Sequence, residues 1–393
     1  MAWSDFRSVW LVDGLRTPFL RARREPNPFS AADLAQAAMR ALLARQPFEA
    51  AALDEVIVGC VAPAPAEVNI ARVAALKAGV PKRVPALTVN RVCGSGMQSI
   101  DLAARNIMLG EAELVLAGGT ESMSHMPKDT LFCALADAVA DMRMGDTAEV
   151  LARKFGIGRA EMDAFALESH RRAAAARETG RFAQEVAPIT DADGAAFDRD
   201  TGIRPDTSLD KLAALAPVFA EDGAVTAGNS SQITDGACVV LLASEEAVKR
   251  HGLTPLARVA DAAWAGLEPR EMGLGPAYAM AKLLKRRNFG LGDVDAFEIN
   301  EAFAVQVLAV LRALADEAFC RDELGLDGAA GEIPPERLNV DGGAIALGHP
   351  LGASGARIVL HLAHVLRRTG AKRGIASLCI GGGQGGAMLL EGA

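Results

Sequence analysis

The sequence predicts an α/β protein built from two similar halves, and three observations carry that prediction. Apolar runs of strand length alternate with amphipathic runs of helix length along most of the chain. A unit recurs: CGSGMQSIDLAARNI leads to AELVLAGG early in the chain, and GASGARIVLHLAHVL leads to GIASLCIGGG near its end. Each copy is a glycine-bounded bend, a helix and a buried strand that ends in glycines. Composition agrees, since 39 glycines in 393 residues with 5% aromatics favour many tight loops over a β-sandwich. At roughly 100–200 residues per domain, the length fits two domains or three.

The elements follow in order. SVWLVDGLRTPF reads as a buried strand and a turn, and AADLAQAAMRALLAR has helical spacing. DEVIVGCV is a second strand, and VPALTVN leads into Cys93. SGMQSIDLAARNIMLG is a helix closed by Gly110, and ELVLAGGTESM is a continuous apolar strand. Strands alternating with helices predict a parallel, buried sheet. From about Pro127 to Thr234 the pattern loosens. AEVLARKFG and RAEMDAFALESHRRAAAARETG are helical, but residues 187–222 are polar and irregular, with prolines at 188, 205 and 217. A long excursion of this kind in a compact protein is usually functional. Regular structure returns at ACVVLLAS. The expected division is 1–250 for the first half, with a loop domain at about 121–235 inside it, and 251–393 for the second.

A formal net charge of -8 argues against nucleic acid as a partner. It leaves room for an anionic small molecule on a local basic patch. The six cysteines are scattered, with no CxxC pair. That pattern fits a reduced, intracellular protein, not a disulfide scaffold or a zinc site, so no metal is expected. MAWSDFRSVWLVDG lacks the basic flank and apolar run of a signal peptide, and LLEGA carries no peroxisomal address. No stretch approaches the ~20 apolar residues of a membrane span. The expected location is the cytoplasm.

Four residues sit where chemistry is possible. Cys93 precedes a helix and is followed by Gly94 and Gly96. A helix N-terminus would stabilise its thiolate, although a small core cysteine beside a turn reads the same way. His349 lies between Gly348 and Pro350 in GGAIALGHPLGASG, as a base or a structural hydrogen-bonder. Cys379 ends IASLCI before three glycines whose amides can form an oxyanion hole, or it is a strand-end core residue. Asn300, in DAFEINEAFAVQ, stands at a strand-to-helix junction and can simply cap the helix.

Taken together, the contexts are specific. NRVCGSGMQS, LAGGTESMS, MGDTAEVLARKFGIGRAEMDAFALESH, VTAGNSSQITDGA, EINEAFA, NVDGGAIALGHPLGASGARI and CIGGGQGGAMLL occur in that order. With them the chain resembles the thiolases over about residues 8–392. The resemblance implies two similar halves in layered α-β-α-β-α packing, plus a loop domain inserted in the first. It implies reversible, CoA-dependent cleavage of a 3-ketoacyl-CoA to acetyl-CoA and a shortened acyl-CoA, or the reverse condensation. Coenzyme A and acyl-CoA are then substrates, with no covalently bound cofactor.

By the same resemblance Cys93 carries the acyl group as a thioester, His349 takes its proton, and Cys379 is the acid and base at the acetyl α-carbon. His349 and a water held by Asn300 serve the enolate oxygen. The backbone N–H groups of Cys93 and Gly381 serve the tetrahedral intermediate. Arg204 matches an adenine-contacting arginine. Ala227, Ser231, Met144, Ala302 and Phe303 match pantetheine contacts.

The chain departs from the short-chain biosynthetic pattern in four places. The segment between GGTESMSHMP and MGDTAE is short, which implies a homodimer over a tetramer and allows a wider acyl tunnel. Arg143 stands where relatives often carry histidine, adding positive charge by the pantetheine path. SSQITDGA replaces SGINDGA. RALADEAFCRDELGLDGAAGEIPPERLNV adds residues before the histidine loop. An acetoacetyl-CoA-forming enzyme is the alternative within the family. A ketoacyl-synthase-like enzyme would lack Cys379, and a non-catalytic lipid carrier would lose one of the four groups. A nucleotide-phosphate cradle finds no GxxxxGK[ST].

Overall fold

A computed structural model of the chain describes residues 6–393. Ten strands form one large sheet: β1 (Val9–Arg16), β2 (Leu20–Arg21), β3 (Glu55–Gly59), β4 (Ala86–Val89), β5 (Leu114–Ser122), β6 (Thr234–Ser244), β7 (Ala257–Gly266), β8 (Ala296–Ile299), β9 (Arg373–Ile380) and β10 (Gln384–Gly392). Their order is β8-β9-β10-β7-β1-β6-β5-β3-β4, with β2 on β6. The helices that matter for the site are α1 (Ala31–Leu43), α2 (Ile70–Lys77), α3 (Ser95–Leu109), α4 (Met144–Phe155), α5 (Arg159–Glu178), α6 (Gly275–Arg287), α7 (Ala304–Ala315) and α8 (Leu351–Thr369).

The sheet has two leaves joined at a narrow seam, where β1 meets β7 through Trp10–Arg258 and Leu11–Ala257. Side chains alternate across each leaf, so each strand feeds two cores. Leu114, Leu116, Val239 and Leu241 face α1 and α2. Val115, Ala117, Val240 and Leu242 face a middle layer of α3 and α8, which also covers Leu378, Ile380 and Met388 of the second leaf. The far side of that leaf, including Phe297, Ile299 and Leu389, packs on α6 and α7. The order is helix, sheet, helix, sheet, helix, as expected.

The expectation of parallel pairing is corrected. β3 pairs in parallel with β4 and β5, and β8 with β9. The long pairs β1–β6, β5–β6, β7–β10 and β9–β10 are antiparallel. A strand covered by helices on both faces is apolar throughout, whichever way it runs. All eleven residues of β6 are buried. Orientation was therefore absent from the pattern.

A buried ionic network pins the excursion to this frame. Arg16, at the end of β1, bonds Glu185 at 2.8 Å and grips Asp200 with two nitrogens at 2.6 and 2.9 Å. His361 on α8 bridges Glu185 at 2.8 Å and Asp341 at 3.2 Å. Arg181 and Arg368 close on the same Asp341. Burial alone would lower the His361 pKa, but its carboxylate partners win and raise it from 6.5 to about 10. The sign follows: a pKa raised on folding gives stability that is full below 6.5 and is lost as pH rises through about 10. His361→Ala leaves two buried carboxylates short of a partner and is expected to destabilise by about 3–5 kcal/mol. Denaturant melts from pH 6 to 10 would check this: the variant should lose much of the wild type's alkaline decline.

Candidate active site

Cys93 sits on a strained bend. Val92, immediately before it, has φ of +45°, which a β-branched residue rarely adopts. The Asn90 side chain accepts the Val92 N–H at 2.9 Å, and the Ser95 hydroxyl accepts from Arg91 N–H and donates to Val92 O at 2.6 Å. The glycines answer to close approach. A Cβ on Gly94 would lie 2.5 Å from Ile380, and one on Gly96 would lie 2.7 Å from the Gly352 carbonyl oxygen. The N-terminal turns of α3 and α8 thus meet almost backbone to backbone, bringing Cys93 and His349 together.

Both residues line one cavity of about 460 Å³, with Cys379 and Gly381. The glycines after Cys379 form a tight hairpin between β9 and β10, with Gly382 and Gly383 at φ of +82° and +68°. The hairpin points the Gly381 N–H at the Cys93 sulfur. Asn300 is fully buried and does not line the cavity. Its amide nitrogen lies 3.5 Å from His349 Nε2, and its Oδ1 has no partner among the described residues.

The histidine tautomer follows from its neighbour. The Ser354 hydroxyl donates to the Pro350 carbonyl at 3.0 Å, so it accepts from His349 Nδ1 at 2.6 Å. The proton sits on Nδ1, and Nε2 is left as a base on the side of Asn300.

Burial sets the protonation states. It pushes the Cys93 thiol up to about 11, although the N–H groups of Gly381 and of Cys93 itself pull the other way. This corrects the expectation of a thiolate held by the helix end: the amides act as expected, but desolvation outweighs them. Burial also pushes Cys379 up, with Cys93 adding to the shift, and pushes His349 down to about 3. All three groups are neutral in the free protein.

Met144, Ser231, Ala302 and Phe303 lie on the same cavity wall. Ala227 is exposed and stands apart from it. Arg204 lines a separate hollow of about 350 Å³ with Arg171, Pro205 and Thr207, and its backbone N–H donates to His170 at 3.1 Å. Arg143 reaches the cavity, but its charge is met by Asp146 at 2.9 and 2.7 Å. It also caps the Phe219 carbonyl and lies 5.0 Å over that ring. The added residues before the histidine loop stay away from the cavity and seat Phe319 against Phe155 and Tyr278.

Sequence reasoning missed several supporting groups. Ser354 was findable, because HPLGAS places a hydroxyl in the first turn after the histidine. Glu301 reads in sequence as an ordinary acid beside Asn300, but it is buried, accepting from Ser169, Asn339 and the Ile345 N–H. It holds the histidine loop against the Asn300 strand. Glu121 lies in LAGGTESMS, where nothing local marks it off from a surface acid.

Known proteins match nearly the full length of the chain. Residues 9–132 and 127–246 match the family model described as thiolase, N-terminal domain, and residues 253–392 match thiolase, C-terminal domain. The mitochondrial 3-ketoacyl-CoA thiolase of Rattus norvegicus is 42% identical over 98% of each chain. The beta-ketoadipyl-CoA thiolase of Pseudomonas aeruginosa is 43% identical over 98% of this chain and 99% of its own. The crystal structure of human mitochondrial 3-ketoacyl-CoA thiolase in complex with CoA superposes with a TM-score of 0.89, at 42% identity over 98% of each chain.

Proposed function

This chain belongs to the thiolase family, and on that premise we propose how its cavity runs the family's CoA-dependent cleavage of 3-ketoacyl-CoA. The observation that carries the proposal is the convergence of Cys93, His349 and Cys379 on one cavity, with the Gly381 N–H at the Cys93 sulfur. Cys93 attacks the 3-keto carbon as His349 Nε2 takes its proton. Because burial favours the neutral thiol and the neutral imidazole, the thiolate forms during attack, not before it. The Cys93 and Gly381 N–H groups receive the oxyanion, each such donor contributing a factor of roughly 10²–10³ in rate.

Collapse breaks the C2–C3 bond and expels the enolate of acetyl-CoA. Cys379 gives its proton to that α-carbon, while His349 and an Asn300-held water steady the enolate oxygen. Coenzyme A then enters as the second substrate, loses its thiol proton to Cys379, and attacks the acyl-Cys93 thioester. Met144, Ser231, Ala302 and Phe303 guide the pantetheine, and Arg204 meets the nucleotide beyond it. Ala227 is exposed and does not line the cavity, so the pantetheine path is assigned to the other four residues.

The acyl chain lies against Met123, Leu131, Phe132, Leu135 and Ile233, an apolar wall longer than an acetyl group needs. Each buried methylene contributes about 0.8 kcal/mol, or about fourfold. Thiolysis of 3-ketohexanoyl-CoA should therefore exceed that of acetoacetyl-CoA by about tenfold in kcat/KM. A strict four-carbon preference would contradict the reading and favour an acetoacetyl-CoA-forming enzyme.

One observation favours a second reading. Lys128 lines the same wall and has no partner among the described residues. It suits a chain ending in a carboxylate, as the name of the beta-ketoadipyl-CoA relative also indicates. On this reading Lys128→Met lowers kcat/KM for 3-ketoadipyl-CoA about tenfold and spares 3-ketohexanoyl-CoA.

Two further properties are proposed. The chain works as a homodimer through β4, an edge strand, where Leu87 is 44% exposed and Val68 and Leu76 are 72% and 44% exposed. It works in the cytoplasm, where its free cysteines stay reduced. No helix among the described residues is long and apolar enough to cross a membrane. The halves divide near residue 250, between β6 and β7.

A further inference from the structure

We infer that Glu121 is a positioning residue that sets the distance between nucleophile and base. The inference rests on the reading of Cys93 and His349 as that pair. Glu121 is fully buried near the end of β5, where no cation pairs with it among the described residues. Its Oε2 accepts the Gly352 N–H at 2.9 Å, three residues after His349. The same oxygen accepts the Val61 N–H at 2.9 Å, and Oε1 accepts from Ala62 at 3.2 Å.

The path continues from there to the nucleophile. The Val61 carbonyl accepts from the Asn90 side chain at 2.9 Å, and the Asn90 oxygen accepts the Val92 N–H at 2.9 Å. Val92 is the strained residue before Cys93. One carboxylate thus ties the start of α8, which carries the base, to the bend that carries the thiol. Pro350, at the N-cap of α8, offers no side-chain cap. Glu121 supplies that anchor and complements the positive helix end. Strain at Val92 persists only if its surroundings hold it, and this path holds its N–H while the Ser95 hydroxyl holds its carbonyl.

Such a residue touches no reacting atom, so its loss should act on the chemical step and not on binding. Glu121→Gln is isosteric but turns an amide N–H₂ toward backbone N–H groups. Asn90→Ala cuts the same path at an exposed position, without touching Glu121. Each is expected to lower kcat for acetoacetyl-CoA thiolysis about tenfold or more, with KM for both substrates within about threefold. The double variant should be no slower than the slower single one, because both cut one path. Glu121→Gln should also shift the pH profile of Cys93 alkylation by iodoacetamide toward acid, since a buried negative charge opposing the thiolate is gone. Asn90→Ala, which removes no charge, should leave that profile in place.

Wild-type kcat in either single variant would overturn the inference, as would additive losses in the double. If Glu121→Gln does not fold, Asn90→Ala decides alone: slowed turnover at unchanged KM supports the path, and wild-type turnover refutes it. A wild-type protein inactive on every 3-ketoacyl-CoA would instead defeat the thiolase mechanism on which the inference rests.

Discussion

Replacing Cys93 with alanine is expected to lower CoA-dependent thiolysis by roughly 10⁴–10⁶, the range for loss of a nucleophile in a covalent mechanism. The fold should survive, because the side chain is half-buried at the cavity and alanine meets none of the contacts that constrain Gly94 and Gly96. Substrate binding should also survive, since the pantetheine wall is made of other residues. KM for CoA is expected within about threefold of wild type, and the loss is read in kcat. Serine should rescue little. His349 is a weak base, held down to about 3 by burial, and an alkoxide is far harder to form than a thiolate. A Cys93→Ala protein that keeps a tenth of its activity would remove the central step of the mechanism.

Cys379→Ala is the second large effect, and it separates the half-reactions. Without a proton donor at the α-carbon, the enolate has no favourable exit, and C–C cleavage should fall roughly 10²–10⁴. Acyl transfer from a simple acyl-CoA to Cys93 breaks no carbon–carbon bond and needs only His349, which takes the Cys93 proton and passes it to the departing CoA thiolate, so this exchange should persist. Exchange of the acetyl-CoA methyl protons in deuterated buffer should disappear with C–C cleavage. The wild type should show all three reactions. Loss of acyl exchange along with cleavage would show that Cys379 is needed to build the site, not to move the proton. Burial, with Cys93 adding to it, holds the proton on Cys379, which suits that thiol to deliver it to the enolate.

How far the sequence was legible follows from the range of each signal. The helices at 31–43, 95–109 and 159–178 were visible because their apolar spacing is local. The glycines around Cys93 marked a close approach, but not its partner. Gly96 meets Gly352, 256 positions further along the chain. Strand direction was illegible because both faces of each leaf are covered, which removes the alternation that a half-exposed strand would show. The protonation states were misjudged for a related reason. A helix end can be read from sequence, but the desolvation that outweighs it depends on what the second half lays over Cys93. Glu121 and Glu301 illustrate the same limit. In sequence each is an ordinary acid near a functional residue, and three-dimensional burial turns each into an anchor. Arg143 ran the other way: it read as an added charge, and Asp146 three residues on cancels it. A spacing of three on a helix was a local signal and could have been used.

The most direct measurement of the account is mass spectrometry of the protein quenched within one turnover of mixing with a 3-ketoacyl-CoA in the absence of free CoA. The mechanism predicts a shortened acyl group on the peptide that carries Cys93, released when CoA is added and absent in Cys93→Ala. An acyl group on Cys379, or cleavage to acetyl-CoA with no protein adduct at any quench time, would contradict it.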